Sequence, residues 1–395
     1  MPPDWNDETR LIRAGTTSRP LVRTVGPPIQ KGSTVLLPDA ASLYDDDNYL
    51  TYGRQGLSAQ FALQEALAEL EHANGVTLYP SGLAALSGAL LAVLKAGDEV
   101  LVTDAVYKPS RRFCDHVLTR FGVAVRYFDP RQSPEDLVAS ATAATRLILM
   151  ESPGSLSFEM QDMARVAQLA RPRRILTLAD NTWGAGYLYR PLDHGVDLSI
   201  QALTKYVGGH SDVFMGSAAA TDARLVRALA EGVLNLGWAV TGEDAYQMLR
   251  GLRTLPTRLI RQGESGLAVA AWLRDQRQVG QVLHPALPGC PDHDLWARDY
   301  SGACGLFSFT LTPGPESAVN AFLDALTLFG LGFSWGGFES LAIACDPQFK
   351  TRRFKHDYGG PMIRLHIGLE NPADLIADLG QALGVYAARC GGADA

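Results

Sequence analysis

The sequence is short of almost everything that marks a secreted, metal-binding, nucleic-acid-binding or membrane protein. Its five cysteines, Cys114, Cys290, Cys304, Cys345 and Cys390, are scattered and odd in number, with no C-x-x-C pair. That excludes a disulfide framework and leaves each cysteine as a small core residue in a reducing, cytoplasmic setting. No H-E-x-x-H occurs and the eight histidines lack ligand spacing, so no metal site is expected. A dinucleotide-binding glycine fingerprint is missing as well. No block of Lys and Arg exceeds two or three residues and the net charge is -7, which disfavours nucleic-acid binding. No stretch approaches the roughly 18 apolar residues of a membrane span. The opening MPPDWNDETR lacks the apolar region of a secretory signal. Internal repeats and low-complexity segments are absent.

What the chain does have is core material. Apolar residues make up 47% of the 395 and charged residues only 19%, enough for large buried cores in about two domains. Residues 1–58 are irregular and rich in Pro, Gly and Asp, and read as an arm. From Ala59 to His72, Phe61, Leu63, Ala66, Leu67 and Leu70 recur at helical spacing. An alternation follows. VTLY, EVLVTD, VAVRYF, RLILME, RILTLAD, LSIQAL and FMGSAAA read as strands, with helices at 83–95, 110–120 and 160–170. Short apolar strands alternating with helices predict a mostly parallel sheet covered on both faces. Near residue 240 the pattern changes. A long helical stretch at 243–275 leads into GLFSFTL, a helix at 316–328, ESLAIAC, MIRLHIGL and a last helix from Pro372, which suggests a smaller α+β domain. The expected division is an arm at 1–58, a large domain at 59–242 and a small domain at 243–395.

In such sheets ligands bind at the carboxyl ends of the strands. Lys205 follows LSIQAL in the middle of an apolar run. Desolvation there lowers an amine pKa and makes lysine a nucleophile for carbonyls, although a snorkelling lysine would also fit. Asp180 closes RILTLAD and could hold a protonated pyridine nitrogen or simply cap the turn that follows. Glu151 closes RLILME. Ser81, Gly82 and Leu83 open a helix after VTLYP, a weak phosphate-cup signal. Tyr52 and Arg54, in TYGRQG, could clamp a phosphate from an exposed loop. Tyr107 could stack on a planar cofactor or belong to the core. Arg364 is one charge within MIRLHIGL and needs an anion, either a substrate carboxylate or a structural one. Each reading is ambiguous singly. Together they supply the parts that pyridoxal phosphate (PLP) needs to act on an amino acid.

The segment SIQALTKYVGGHSDVFMGS resembles the PLP-lysine segment of the Cys/Met-metabolism enzymes, the transsulfuration group of fold-type I. YGRQG, YPSGLAAL, VTDAVYKPSRRFCD, ESPGS, LADNTW and GLRTLPTR are similar to the same family in order, over nearly the whole chain. The resemblance implies a fold-type I PLP-dependent α/β fold, with a mostly parallel seven-stranded sheet and a smaller C-terminal α+β domain. It implies pyridoxal 5'-phosphate as cofactor and assigns roles. Lys205 would form the Schiff base and shuttle the Cα proton, Asp180 would pair with the ring nitrogen, and Tyr107 would stack on the ring. The Gly82 and Leu83 amides and the Thr204 hydroxyl would hold the phosphate. Tyr52 and Arg54 would reach a neighbouring subunit's site, which demands at least a homodimer and suggests a tetramer. Arg364 and Ser334 would bind the substrate carboxylate beside Trp335.

SIQALTKY, ESPGS and FSWGGFESL most resemble the family's β-eliminating members, implying cleavage of the thioether cystathionine to homocysteine, pyruvate and ammonia, a step of methionine biosynthesis. The γ-acting relatives, γ-lyases and γ-synthases, typically carry Asn near the place of Ser155, and broad cysteine or cystine C–S lyases are a further alternative. Ala202 departs from a Ser that many relatives use for phosphate, and Phe338 stands where some have Tyr. A rival from another class is a serine hydrolase: GFSWG fits G-x-S-x-G with Ser334 as nucleophile, and Asp346 and His366 follow in order. Only 61 residues remain after Ser334, too few for the usual intervening elements.

Overall fold

The computed structural model describes residues 24–45 and 50–391. The parts of the expected arm at 1–23 and 46–49 lie outside the described residues. What is described of the arm has little regular structure: 3-10 turns at Ala41–Tyr44 and Gly53–Gln55 and an isolated bridge between Thr34 and Tyr52.

Seven strands form the large sheet: β1 (Gly75–Tyr79), β2 (Glu99–Thr103), β3 (Ala124–Phe128), β4 (Thr145–Glu151), β5 (Leu176–Asp180), β6 (Leu198–Gln201) and β7 (Gly216–Ala220). Their order is β1-β7-β6-β5-β4-β2-β3. The pairs from β6 to β3 are parallel, and β7 runs antiparallel to both its neighbours. The physical reason is visible in β2 and β7, where every residue is buried: these apolar runs have no polar face because helices cover both sides. Two separate apolar cores, one on each face, contain Leu63, Leu101, Ile148 and Met150 on one side and Leu90, Val100, Leu147 and Leu149 on the other. Alternate residues of β2 and β4 thus point to opposite cores.

A second sheet of five strands, β8 (Val279–Leu283), β9 (Leu306–Leu311), β10 (Gly330–Leu331), β11 (Leu341–Ala344) and β12 (Met362–His366), has the order β10-β11-β12-β9-β8. Its core gathers Phe307, Phe309, Phe322, Ile363 and Leu379 under the last helix, Pro372–Gly391. This is the smaller α+β domain.

The helical stretch expected at 243–275 is two helices, Gly242–Leu252 and Leu255–Arg274. Pro256 supplies the reason: it has no N–H for the carbonyl one turn back, and its ring collides with that carbonyl, so the chain restarts a helix at Leu255. Leu255 and Leu259 of the second helix pack in the large core and Val269, Ala270 and Leu273 in the small one, so this helix runs through both. The sequence reading did not find helices Pro134–Ala139 and Ala223–Asn235 or strand β8.

Candidate active site

One cavity of about 310 Å³ collects the carboxyl ends of the large sheet's strands. β1 delivers Ser81, Gly82 and Leu83, β2 leads to Tyr107, β4 ends at Glu151, β5 at Asp180, and β6 runs into Ala202, Thr204 and Lys205. From the small domain, β12 brings Arg364, and the loop after β10 brings Trp335 to the same wall. Larger cavities beside Arg253 and beside Arg131 lack any amine with a depressed pKa, so the chemistry points to the smaller one.

Lys205 is half-buried, and its Nζ donates to Ser334 Oγ at 2.9 Å. The amine lies 5.5 Å from the centre of the Trp335 ring. Burial first, then the Arg364 guanidinium, lower its pKa to about 8, against a partial pull upward from Asp180. The reason for a lysine in an apolar run is therefore physical: the surroundings that make its charge costly also make it a usable nucleophile.

Burial raises the Asp180 pKa, and the Thr182 hydrogen bonds and the Lys205 charge pull against that rise. The Thr182 N–H donates to Asp180 Oδ1 at 3.1 Å and its hydroxyl donates to the same oxygen at 2.6 Å. The Thr182 hydroxyl in turn accepts the Ala202 N–H at 2.9 Å. One threonine thus ties Asp180 to the segment leading to Lys205.

Ser81 caps the helix Gly82–Val93, its hydroxyl accepting the Ala84 N–H at 3.1 Å. The amides of Gly82 and Leu83, in the first turn, have no carbonyl partner within the helix and suit an anion. A Cβ on Gly82 would stand 2.4 Å from the Ala202 Cβ, so only glycine permits the close approach. The Thr204 hydroxyl lies at this cup but donates to Met215 O at 3.1 Å and accepts Met215 N–H at 3.0 Å. Its proton is already committed, and Ala202 offers no replacement.

Arg364 is 7% exposed. Its Nη2 donates to Phe333 O at 3.0 Å and Ser334 O at 3.1 Å, while Nε has no partner. A buried guanidinium with an unspent donor at a cavity wall is a ready carboxylate receptor. Tyr107 is 44% exposed at the mouth, and its N–H donates to Glu151 Oε2 at 2.7 Å. Burial and the adjacent Asp180 push the Glu151 carboxyl well up.

The structure brings Lys205, Asp180, Tyr107, Gly82, Leu83, Thr204, Trp335 and Arg364 to this cavity, with Ser334 hydrogen-bonded to Lys205. Tyr52 and Arg54 are elsewhere: both are exposed, and Arg54 donates to Leu234 O at 2.6 Å. Neither lines the cavity of its own chain. The serine-hydrolase reading fails on geometry. Ser334 bonds Lys205, the His366 Nε2 faces the Gly336 amide at 3.0 Å, and Asp346 accepts the Met362 N–H, so no Ser–His–Asp relay exists.

Sequence reasoning gave no role to Glu151, Thr182 or Arg258. Arg258 is buried, and its guanidinium donates to Tyr206 O at 2.6 Å, Gly251 O at 2.7 Å and Val207 O at 3.3 Å, fastening the turn that carries Lys205. Both Thr182 and Arg258 lie inside segments singled out for their resemblance, LADNTW and GLRTLPTR, which was the available signal.

The fold and the cavity define a lysine-centred carbonyl-binding enzyme on a two-domain α/β frame. The chain belongs to the Cys/Met metabolism PLP-dependent enzymes, whose family model matches residues 8–384. It is 42% identical over 365 residues to a cystathionine beta-lyase of Bordetella avium, covering 90% of this chain and 91% of that one. It is 40% identical over 385 residues to the cystathionine beta-lyase MetC of Escherichia coli strain K12, covering 94% and 96%. A crystal structure of metB from Corynebacterium glutamicum matches with a TM-score of 0.86 at 29% identity, over 96% of this chain and 98% of that one. The protein is thus a PLP-dependent enzyme. Its cavity fits the cofactor: a depressed-pKa amine for the aldehyde, a carboxylate for the ring nitrogen and a helix N-terminus for the phosphate. Among the described residues no helix is long and apolar enough to cross a membrane, and no group of His, Cys, Asp and Glu could hold a metal ion.

Proposed function

We propose that the protein cleaves cystathionine by β-elimination, giving homocysteine, pyruvate and ammonia. The observation that carries the reading is the meeting of a depressed-pKa lysine and a buried, incompletely paired arginine across one small cavity. When bound, PLP supplies an electron sink for the charge left on the substrate Cα.

Arg364 receives the substrate carboxylate through its free Nε and so fixes which Cα bond faces Lys205. With the cofactor bound, Lys205 as a neutral amine would be the base that removes the substrate Cα proton. The Ser334 hydroxyl orients that amine. Asp180, whose carboxylate form the Thr182 hydrogen bonds favour, would hold the ring nitrogen of the cofactor. Tyr107, at the cavity mouth, would stack on the cofactor ring. Loss of the β-thiolate releases homocysteine, and water converts the remaining three-carbon fragment to pyruvate and ammonia.

Support for the shared-site reading is that Tyr52 and Arg54 are exposed and unused by their own cavity, so we propose that they complete a neighbouring copy's phosphate site. A homodimer is then the working minimum and a tetramer the fuller assembly. The arm, large-domain and small-domain division belongs to the same reading, as does a cytoplasmic location.

The test is a product assay on cystathionine and cystine. Pyruvate with homocysteine is expected, and 2-oxobutyrate from cystathionine would replace this reading with γ-elimination. The K205A variant should lose both turnover and the visible absorption of the lysine-linked cofactor. Full lyase activity in K205A would overturn the assignment.

A further inference from the structure

We infer that His366 is the peg that holds the Ser334–Gly337 loop in register over Lys205, a positioning residue that acts on the reactive amine through Ser334. The inference rests on the reading of Lys205 as the cofactor-linked amine.

Arg364 and His366 are two residues apart on β12 and so face the same way. Both hold the loop: Arg364 through the carbonyls of Phe333 and Ser334, and His366 through the next turn. The His366 Nε2 lies 3.0 Å from the Gly336 N–H and 3.2 Å from the Gly337 carbonyl, and one nitrogen cannot accept from the first and donate to the second. Gln262 decides between them. It is fully buried, and its Nε2 donates to that same Gly337 carbonyl at 2.7 Å. The carbonyl thus has a donor without the histidine, whereas the Gly336 N–H has no other acceptor among the described residues, so Nε2 is the bare nitrogen that accepts from it. Nδ1 then carries the hydrogen, and it is buried with no partner. An unpaired buried N–H is costly, and the fold tolerates it to keep an acceptor at Gly336. Burial first, then Arg364 and Lys205, outweigh the opposing pull of the Gly337 carbonyl and keep the ring neutral, with a pKa of about 3, so the acceptor persists at any ordinary pH.

The place held is a demanding one. Gly336 has φ +83°, and a Cβ there would lie 2.8 Å from the Lys205 carbonyl carbon and 2.9 Å from its Cα. The loop therefore rests directly on the Lys205 backbone, two residues from the Ser334 hydroxyl that contacts the Lys205 amine. Without an acceptor for the Gly336 N–H, the loop loses the contact that sets its height over the lysine.

The experiment compares the holoenzymes of H366L, H366N, H366Q, S334A and the double variant S334A/H366L. Two quantities are read: pyruvate formation from cystathionine, and the pH midpoint of the cofactor's visible absorption band, which a merely structural role does not move. Glutamine places an oxygen near the Nε2 position, and H366Q should keep kcat within about threefold and leave the midpoint in place. H366L should lose about tenfold or more in kcat with little change in KM, and move the midpoint by about half a unit, one unit being about 1.4 kcal/mol. H366N, whose oxygen cannot reach Gly336, should behave as H366L does and serves if leucine prevents folding. S334A and the double variant should share one midpoint, because the histidine acts through the serine. An unmoved midpoint and kcat in both H366L and H366N, or additive effects in the double variant, would overturn the inference. A wild-type holoenzyme without the visible band would overturn the Lys205 reading itself and this inference with it.

Discussion

Thr182→Val is the substitution with the most to say about how the site keeps its charges. Valine matches threonine in shape, so packing is preserved while one hydroxyl is lost. That hydroxyl donates to Asp180 at 2.6 Å and accepts the Ala202 N–H at 2.9 Å. A hydrogen bond to an ionised group is worth roughly 1.5–3 kcal/mol, and its loss raises the Asp180 pKa further. Burial already pushes that pKa up, and the backbone N–H of Thr182 and the Lys205 charge would remain to oppose it. The Asp180 carboxylate would then be less favoured and pair less well with a pyridinium. Each 1.4 kcal/mol is tenfold, so the dissociation constant for pyridoxal phosphate should rise roughly 10–100-fold. Absorbance titration of the apoenzyme with the cofactor measures it directly. T182S, which restores the hydroxyl, should return most of the affinity. If T182V bound the cofactor within twofold of wild type, the claim that the Thr182 hydroxyl favours the Asp180 carboxylate would fail.

The pH dependence of cofactor attachment follows from Lys205. A protonated amine does not attack an aldehyde, so attachment to the apoenzyme should rise about tenfold per pH unit up to about 8 and then level off. A rise continuing toward pH 10.5, the ordinary value for a lysine, would show that the cavity does not depress this amine. Replacing Arg258 with Met leaves the carbonyls of Tyr206 and Val207 without their donor, while the Gly251 carbonyl keeps the Thr254 N–H and hydroxyl. At roughly 1–3 kcal/mol for each orphaned group, the loss should be roughly 2 kcal/mol or more, seen as a lower denaturant midpoint. An unchanged midpoint would mean that water replaces the guanidinium.

The parts of this protein that were legible in its sequence are those where side chains alone decide the outcome. The large sheet could be read because β2, β4 and β5 are short apolar runs, each closed by a polar residue. Lys205, Asp180 and Arg364 stood out because a charge inside an apolar run must have a reason. Helix Pro134–Ala139 is too short for a period to be seen, and β8 carries Gly280 and Gln281 in place of an apolar run. Helix Ala223–Asn235 did offer Leu225, Leu229 and Val233 at four-residue spacing, a signal that could have been used. Arg258 and His366 were illegible for a deeper reason. Their partners are backbone groups of distant turns, 52 residues away for Arg258 and Tyr206, and backbone groups are the same in every sequence. The loop against which His366 packs looked like a nucleophile elbow by spelling alone.

The division of labour between the two sheets has a consequence for biosynthesis. The groups assigned to the cofactor within one chain lie between Ser81 and Lys205, whereas Ser334 and Arg364 come much later. At about 5–20 residues per second, Arg364 leaves the ribosome about 8–30 s after Lys205. A chain caught in that interval, or cut short of β12, would carry its reactive amine with nothing to choose which amino acid it meets.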